Sequence, residues 1–150
     1  MVPCMTIREA REVVIEATPE EILGVLSDLS SVPEWSASAQ STEVITSHED
    51  GRPNRVKMNM KVAGIVDEQV VDYTWGSNEV TWTLVSSGQQ KEQVCTYTLT
   101  PQGDDTLVKF DAMVVPIMPL PAFILKQAIK GTMENATLGL RDRVLKVKNG

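Results

Sequence analysis

The chain is poor in the residues that carry much of enzyme chemistry. It has one histidine, His48, and two cysteines, Cys4 and Cys95, among 150 residues. Three such side chains, far apart in sequence, fall short of the Cys and His set that a structural zinc site draws on. No Ser-His-Asp or Cys-His arrangement and no paired carboxylates are visible along the chain, so no catalytic residue, no metal and no cofactor is expected. Nowhere do about 18 apolar residues run together as a membrane-crossing helix needs. The first eleven residues also lack the continuous apolar stretch of a secretion signal. The two cysteines follow no repeated spacing, which fits reduced thiols in a cytoplasmic protein, with a disulfide between them as the alternative. Positive charge is scarce as well: 14 Lys and Arg face 20 Asp and Glu, a formal net charge of −6. A molecule of that sign repels phosphate backbones, so nucleic acid is not an expected partner.

What remains is an ordinary globular composition, 42% apolar and 23% charged, which argues against disorder and coiled coil. A chain of this size buries roughly 68–70% of its unfolded surface and can build a core without metal or disulfide. One domain over residues 1–150 is therefore expected.

The patterning gives an order of elements. Glu9 to Ala17 contains the run Val13, Val14, Ile15 and reads as a strand, since branched side chains pack well on a pleated surface. Thr18-Pro19-Glu20-Glu21 then opens a helix: Thr18 can cap free N–H groups, Pro19 sits where a missing donor costs nothing, and the two acids complement the positive helix end. Asp28 to Trp35 reads as a second short helix or turn interrupted by Pro33. From Gln40 to Val115, five turn signals imply six strands: Glu49-Asp50-Gly51, Ala63-Gly64, Gly76-Ser77-Asn78, Ser86-Ser87-Gly88 and Gly103-Asp104-Asp105. Connections this short require antiparallel pairing.

Alternation within the strands separates a dry face from a wet one. Val56, Met58, Met60 and Val62 alternate with Arg55, Lys57, Asn59 and Lys61, and Val80, Trp82 and Leu84 alternate with Glu79, Thr81 and Thr83. Prolines at 116, 119 and 121 end the last strand, and Pro121 is placed to begin a final helix running to about Lys148. Leu125, Ile129, Met133, Ala136, Leu140, Val144 and Val147 give that helix one apolar face. At about 1.5 Å per residue it reaches roughly 42 Å, long enough to cross the open face of the sheet. The class expected is α+β: a curved antiparallel sheet of about seven strands wrapped on a long C-terminal helix, with two short helices after strand 1.

The segments Val13-Val14-Ile15-Glu16-Ala17-Thr18-Pro19-Glu20-Glu21, Asp28-Leu29, Pro33-Glu34-Trp35 and Tyr73-Thr74-Trp75, followed by the proline-led final helix, span nearly the whole chain. In these the sequence resembles the helix-grip superfamily, which includes START lipid-transfer domains, the birch-pollen allergen family and the polyketide cyclase/dehydrase family. The resemblance implies the helix-grip fold and a ligand cavity between sheet and helix. A shared fold does not fix an activity.

Candidate site residues follow from the same phase. Asp67 and Gln69 fall on the inward face with Val71, Tyr73 and Trp75, where a buried carboxylate needs partners. The opposing reading leaves Asp67 at a wet strand end near Gly64. Met58, Met60 and Met133 with Trp82, Tyr97 and Phe110 could line a cavity or simply pack a core. Trp35 serves as an anchor, and Asn135 offers a polar contact from the helix. His48, beside Glu49-Asp50-Gly51, reads as an exposed turn residue. Ile117, Met118, Leu120 and Phe123 form an apolar edge that could gate a cavity or meet a second copy in a homodimer, while the plainer reading makes the Pro116 to Pro121 segment structural punctuation between strand and helix. The leading expectation is a binder of a hydrophobic small molecule such as a lipid, polyketide or isoprenoid. The alternatives are a polyketide cyclase or aromatase using Asp67 and Tyr97, and a protein-interaction module with a filled core.

Overall fold

The computed structural model describes residues 6–150, so Cys4 lies outside the described residues. Seven strands are present: β1 (Ile7–Ile15), β2 (Ala39–Ser47), β3 (Pro53–Val62), β4 (Ile65–Trp75), β5 (Glu79–Ser86), β6 (Gln90–Gln102) and β7 (Asp105–Pro116). They form one antiparallel sheet in the order β1-β7-β6-β5-β4-β3-β2. From β2 to β7 the chain meanders, and the six strands expected between Gln40 and Val115 are all present. Only β1 departs from the meander: it lies against β7 with Ile7 opposite Val114 and Ile15 opposite Thr106. It begins and ends two residues earlier than its pattern suggests.

Two helices follow β1. In α1 (Pro19–Ser27) the Thr18 hydroxyl accepts the Glu21 N–H at 3.2 Å, and the Glu21 carboxylate accepts the Thr18 N–H at 3.0 Å. This reciprocal cap satisfies two donors at the helix start. Ile22, Val25 and Leu26 are its buried face. A single tight turn, Leu29–Ser31, leads into α2 (Val32–Trp35). Pro33 does not interrupt α2 as its sequence suggests. It lies in the first turn, where its missing N–H has no intrahelical partner to lose.

The C-terminal rod consists of α3 (Ala122–Glu134), a wide turn Asn135–Gly139 with π-type hydrogen bonding, and α4 (Leu140–Asn149). Pro121 caps α3 from outside with extended ψ and is not its first helical residue. Right-handed dihedrals at Glu134, Asn135, Gly139 and Leu140 keep the rod continuous through the wide turn. Met133, Ala136, Leu140 and Val144 are buried as expected, and Thr137 joins them. Val147 is not: it is 55% exposed, in a final turn that Lys148 ties to the Glu16 carbonyl at 3.0 Å. Buried strand residues such as Val56, Val71, Val80 and Val108 join Ile15, Ile22 and Leu140 in one core.

One close approach falls at the end of the wide turn. A Cβ added at Gly139 would lie 2.6 Å from the Trp35 carbonyl oxygen, so backbone meets backbone there and only glycine fits. Gly131, on the same rod, has nothing within 4 Å of such a Cβ. Gly139→Ala should therefore lower the unfolding free energy by about 1–3 kcal/mol. Gly131→Ala, in an uncrowded helix interior, should raise it by about 0.5–1 kcal/mol. Urea denaturation of both variants reads the contrast, and equal effects would remove Gly139 as a packing constraint.

Candidate functional site

The inner face of the sheet is wider than the rod that covers it. Between them lies a cavity of about 290 Å³, close to the lower end of the roughly 300–1,000 Å³ that ligand sites span. Its wall comes from the inward positions of β3 to β7, from Ile7 and Glu9 of β1, from α1, α2 and the turn between them, and from α3 with the start of the wide turn. All ten sequence candidates reach it: Trp35, Met58, Met60, Asp67, Gln69, Trp82, Tyr97, Phe110, Met133 and Asn135. Their spacing in sequence runs from position 35 to 135; the period-two phase of the strands and the rod's register bring them together.

An aromatic ladder forms the floor. Tyr73 stacks on Trp75 with centroids 5.5 Å apart and on Trp82 at 5.3 Å. Trp82 continues to Tyr97 at 5.8 Å and Phe110 at 5.9 Å, and Tyr97 lies 4.8 Å from Phe110. Such offset and tilted contacts contribute about 0.5–1.5 kcal/mol each beyond area burial. The ladder crosses β4, β5, β6 and β7, which gives the cavity one rigid apolar side.

Polar groups concentrate at one end. Asp67 is 7% exposed, so the reading that left it wet at a strand end is corrected. Its two oxygens accept the Gly88 N–H at 3.0 Å, the Ser87 hydroxyl at 2.5 Å and the Gln69 amide at 3.0 Å. The Gln69 carbonyl accepts from Gln93 at 3.2 Å, Gln93 also donates to Gln90 at 2.7 Å, and Trp82 donates its indole N–H to Gln93 at 3.0 Å. The carboxylate thus ties the β5–β6 turn to β4 and anchors a chain of three amides. Sequence reading found Asp67 and Gln69 but missed Gln90, Gln93 and Ser87. Gln93 was within reach, because it shares the inward phase of Cys95, Tyr97 and Leu99.

The helix side is fixed by two further bonds. Tyr97 donates its hydroxyl to the Ala136 carbonyl at 2.8 Å, on the wide turn of the rod. Asn135 donates to the Ser38 hydroxyl at 3.1 Å and joins the rod to the segment after α2. The Trp35 indole N–H is enclosed without an acceptor among the described residues. His48 is half-buried, not exposed: its Nε2 lies 2.7 Å from the Tyr73 carbonyl, outside the cavity wall. Ile117, Met118 and Phe123 are exposed, the last two by 71% and 74%, and Met118 with Leu120 forms part of the cavity rim. Among the described residues no group of three His, Cys, Asp or Glu could hold a metal ion, and no helix is long and apolar enough to cross a membrane.

Burial sets the chemistry of the ionisable cavity residues. It pushes the Cys95 thiol from the usual 9.0 up to about 12. Burial, and secondarily the neighbouring Cys95, raises Tyr73 above the ordinary tyrosine range; Tyr97 rises well above it for the same leading reason. All three are held neutral, so none is a base at neutral pH.

Three expectations follow. Asp67→Ala strands the Gly88 N–H, the Ser87 hydroxyl and one Gln69 N–H, and should cost about 2–3 kcal/mol in urea denaturation, with Asp67→Asn costing less because an acceptor oxygen remains. The unfolded chain ionises Cys95, Tyr73 and Tyr97 before the folded one does, so their stabilising effect is complete below pH 9 and lost as pH rises towards 12; unfolding free energies measured across that window should fall. In a Cys4→Ser background, Cys95 should react with Ellman's reagent at mildly alkaline pH only as fast as the protein unfolds. Rapid reaction in the folded state would contradict its burial.

A sequence profile described as "Polyketide cyclase / dehydrase and lipid transport" matches residues 6–145. No curated protein matches the chain by sequence. Among solved structures it is similar to a START superfamily protein from Mycobacterium smegmatis, with TM-score 0.83 and 21% identity over 93% of this chain and 98% of that one. It is similar to the Zhui aromatase/cyclase from a Streptomyces species, with TM-score 0.81 and 9% identity over 95% of each chain. A Thermus thermophilus protein superposes with TM-score 0.74 and 21% identity over 94% of this chain and 99% of that one. At these identities the likenesses establish the fold.

Proposed function

The chain belongs to the polyketide cyclase/dehydrase and lipid transport family, and from that premise we propose that it binds an apolar small molecule between sheet and rod, as a carrier or sequestering protein. The observation that carries this reading is the cavity of about 290 Å³, walled by an aromatic ladder and methionines, with a cluster of polar groups around Asp67. Ligand sites of soluble proteins have that make-up: mostly apolar walls with a few placed hydrogen-bonding groups. Trp35, Met58, Met60, Trp82, Phe110 and Met133 supply apolar contact in this proposal. Asp67, Gln69, Tyr97 and Asn135 define the polar positions. A cytoplasmic location, expected from the cysteine usage, is part of this proposal.

A cyclase or aromatase reading has less behind it. The two residues it would use are engaged: Asp67 holds the β5–β6 turn through three hydrogen bonds, and the Tyr97 hydroxyl is bonded to the rod. A general base must reach the proton it removes and be free to take it. The aromatase/cyclase among the similar structures supports the shared fold only. The interaction-module reading needed a filled core, and the void counts against it. A homodimer through Ile117, Met118 and Phe123 has only their exposure behind it.

Binding of the neutral fluorophore N-phenyl-1-naphthylamine tests the proposal. The wild-type chain should enhance its emission saturably, and Ala112→Phe, which places a ring in the cavity, should weaken binding at least tenfold with the far-UV circular dichroism unchanged. Native mass spectrometry of protein from its own host should show a mass lost on organic extraction. Absence of saturable binding, or equal binding by the filled variant, would remove the cavity from the function.

A further inference from the structure

The charges around the cavity are all of one sign. Two charged side chains reach its lining, Glu9 at the rim and Asp67 within, and both are acidic; no Lys, Arg or His is among the lining residues. The strands that wall it carry their cations off the lining, among them Arg8 and Arg11 of β1, Lys57 and Lys61 of β3 and Lys109 of β7, and α3 turns Lys126 and Lys130 to solvent. The whole molecule adds to this bias with its charge of −6.

The hydrogen-bonding capacity left over along the cavity wall is neutral. Tyr73 is 5% exposed and lines the cavity, and its hydroxyl has no hydrogen-bond partner among the described residues. Gln69 uses one amide hydrogen on Asp67, and Gln90 accepts from Gln93 while its own amide group donates to no described residue. The Asp67 oxygens already take three donors. A ligand oxygen can therefore find a hydroxyl and amide N–H groups, but an anionic ligand finds no counter-charge.

Resting on the binding reading above, we infer that the cavity selects uncharged amphipathic molecules, an apolar body bearing a hydroxyl, carbonyl or ether oxygen, and rejects apolar acids as their anions. An anion moved out of water into this site would lose hydration without an ion pair to replace it, beside a carboxylate held in place by its own hydrogen bonds. A neutral oxygen loses far less and regains hydrogen bonds from Tyr73 and the amides. The same void that admits an aliphatic alcohol thus excludes the corresponding carboxylate, although the two differ little in size.

Paired probes of one skeleton separate charge from shape. N-phenyl-1-naphthylamine and 8-anilinonaphthalene-1-sulfonate share an arylnaphthylamine frame, and only the second is anionic. The neutral probe should bind at least tenfold more tightly to the wild type, and 1-dodecanol should displace it while dodecanoate at neutral pH should not. Asp67→Asn, checked for folding by circular dichroism, should narrow the gap by strengthening the sulfonate several-fold, a change that loss of packing alone would not give. If both probes bind with similar affinity and Ala112→Phe weakens both, the cavity reading stands and the charge selection is overturned. If neither probe binds the wild type, the binding reading fails and this inference with it. Should the gap persist unchanged in a folded Asp67→Asn, the carboxylate is not its source and the assignment falls.

Discussion

The structure turns on a mismatch of coverage: one helical rod has to shield the dry face of seven strands. A sheet with a period-two apolar face must bury that face against something, and this chain supplies a single long rod with two short helices at one end. The rod seals the part nearest β1 and α1, where Ile15, Ile22, Leu140 and Val144 close the core. Further along, rod and floor meet at Tyr97 and Ala136, and the space left between them is the cavity. The void is therefore a result of proportion, and no special loop is required to make it.

The same proportion explains the placement of polar residues. A buried amide or carboxylate is tolerated only with partners, and partners are available where a turn brings backbone N–H groups inward. Asp67 sits opposite the β5–β6 turn and uses Gly88 and Ser87 in this way. Once that carboxylate is fixed, Gln69, Gln93 and Gln90 extend the network along two strands. The polar end is thus structural first, and its spare donors are what remain for a guest.

Much of this was legible in the sequence. Alternation in β3 and β5, the turn residues and the Thr18-Pro19 helix start each rest on local chemistry, and each appears as read. Ala63 and Gly64, with positive φ at both positions, form the tight connection their pair suggested. What stayed hidden depends on contacts between distant segments. The wide turn at Asn135–Gly139 and the close approach of Gly139 to Trp35 are facts no helical period reveals. His48 is half-buried because Tyr73 of another strand offers it a carbonyl. Pro33 was judged by its habit of ending helices, yet a first-turn position removes the objection. The charge of the cavity wall likewise needs the three-dimensional assembly, since the chain's 14 Lys and Arg are spread along the sequence and none of them lines this surface.

The pairing of β1 with β7 bears on how the chain comes into being. Ile7 has no strand neighbour until Val114 exists, so on the ribosome the earliest of these seven strands to emerge is the last to find its place. Contacts so remote in sequence carry a high loop-closure cost and slow the final step of folding. During synthesis the meander β2 to β7 can assemble by short hairpins while β1 waits with Val13 and Ile15 exposed, a window in which a chaperone or a neighbouring nascent chain has access to it.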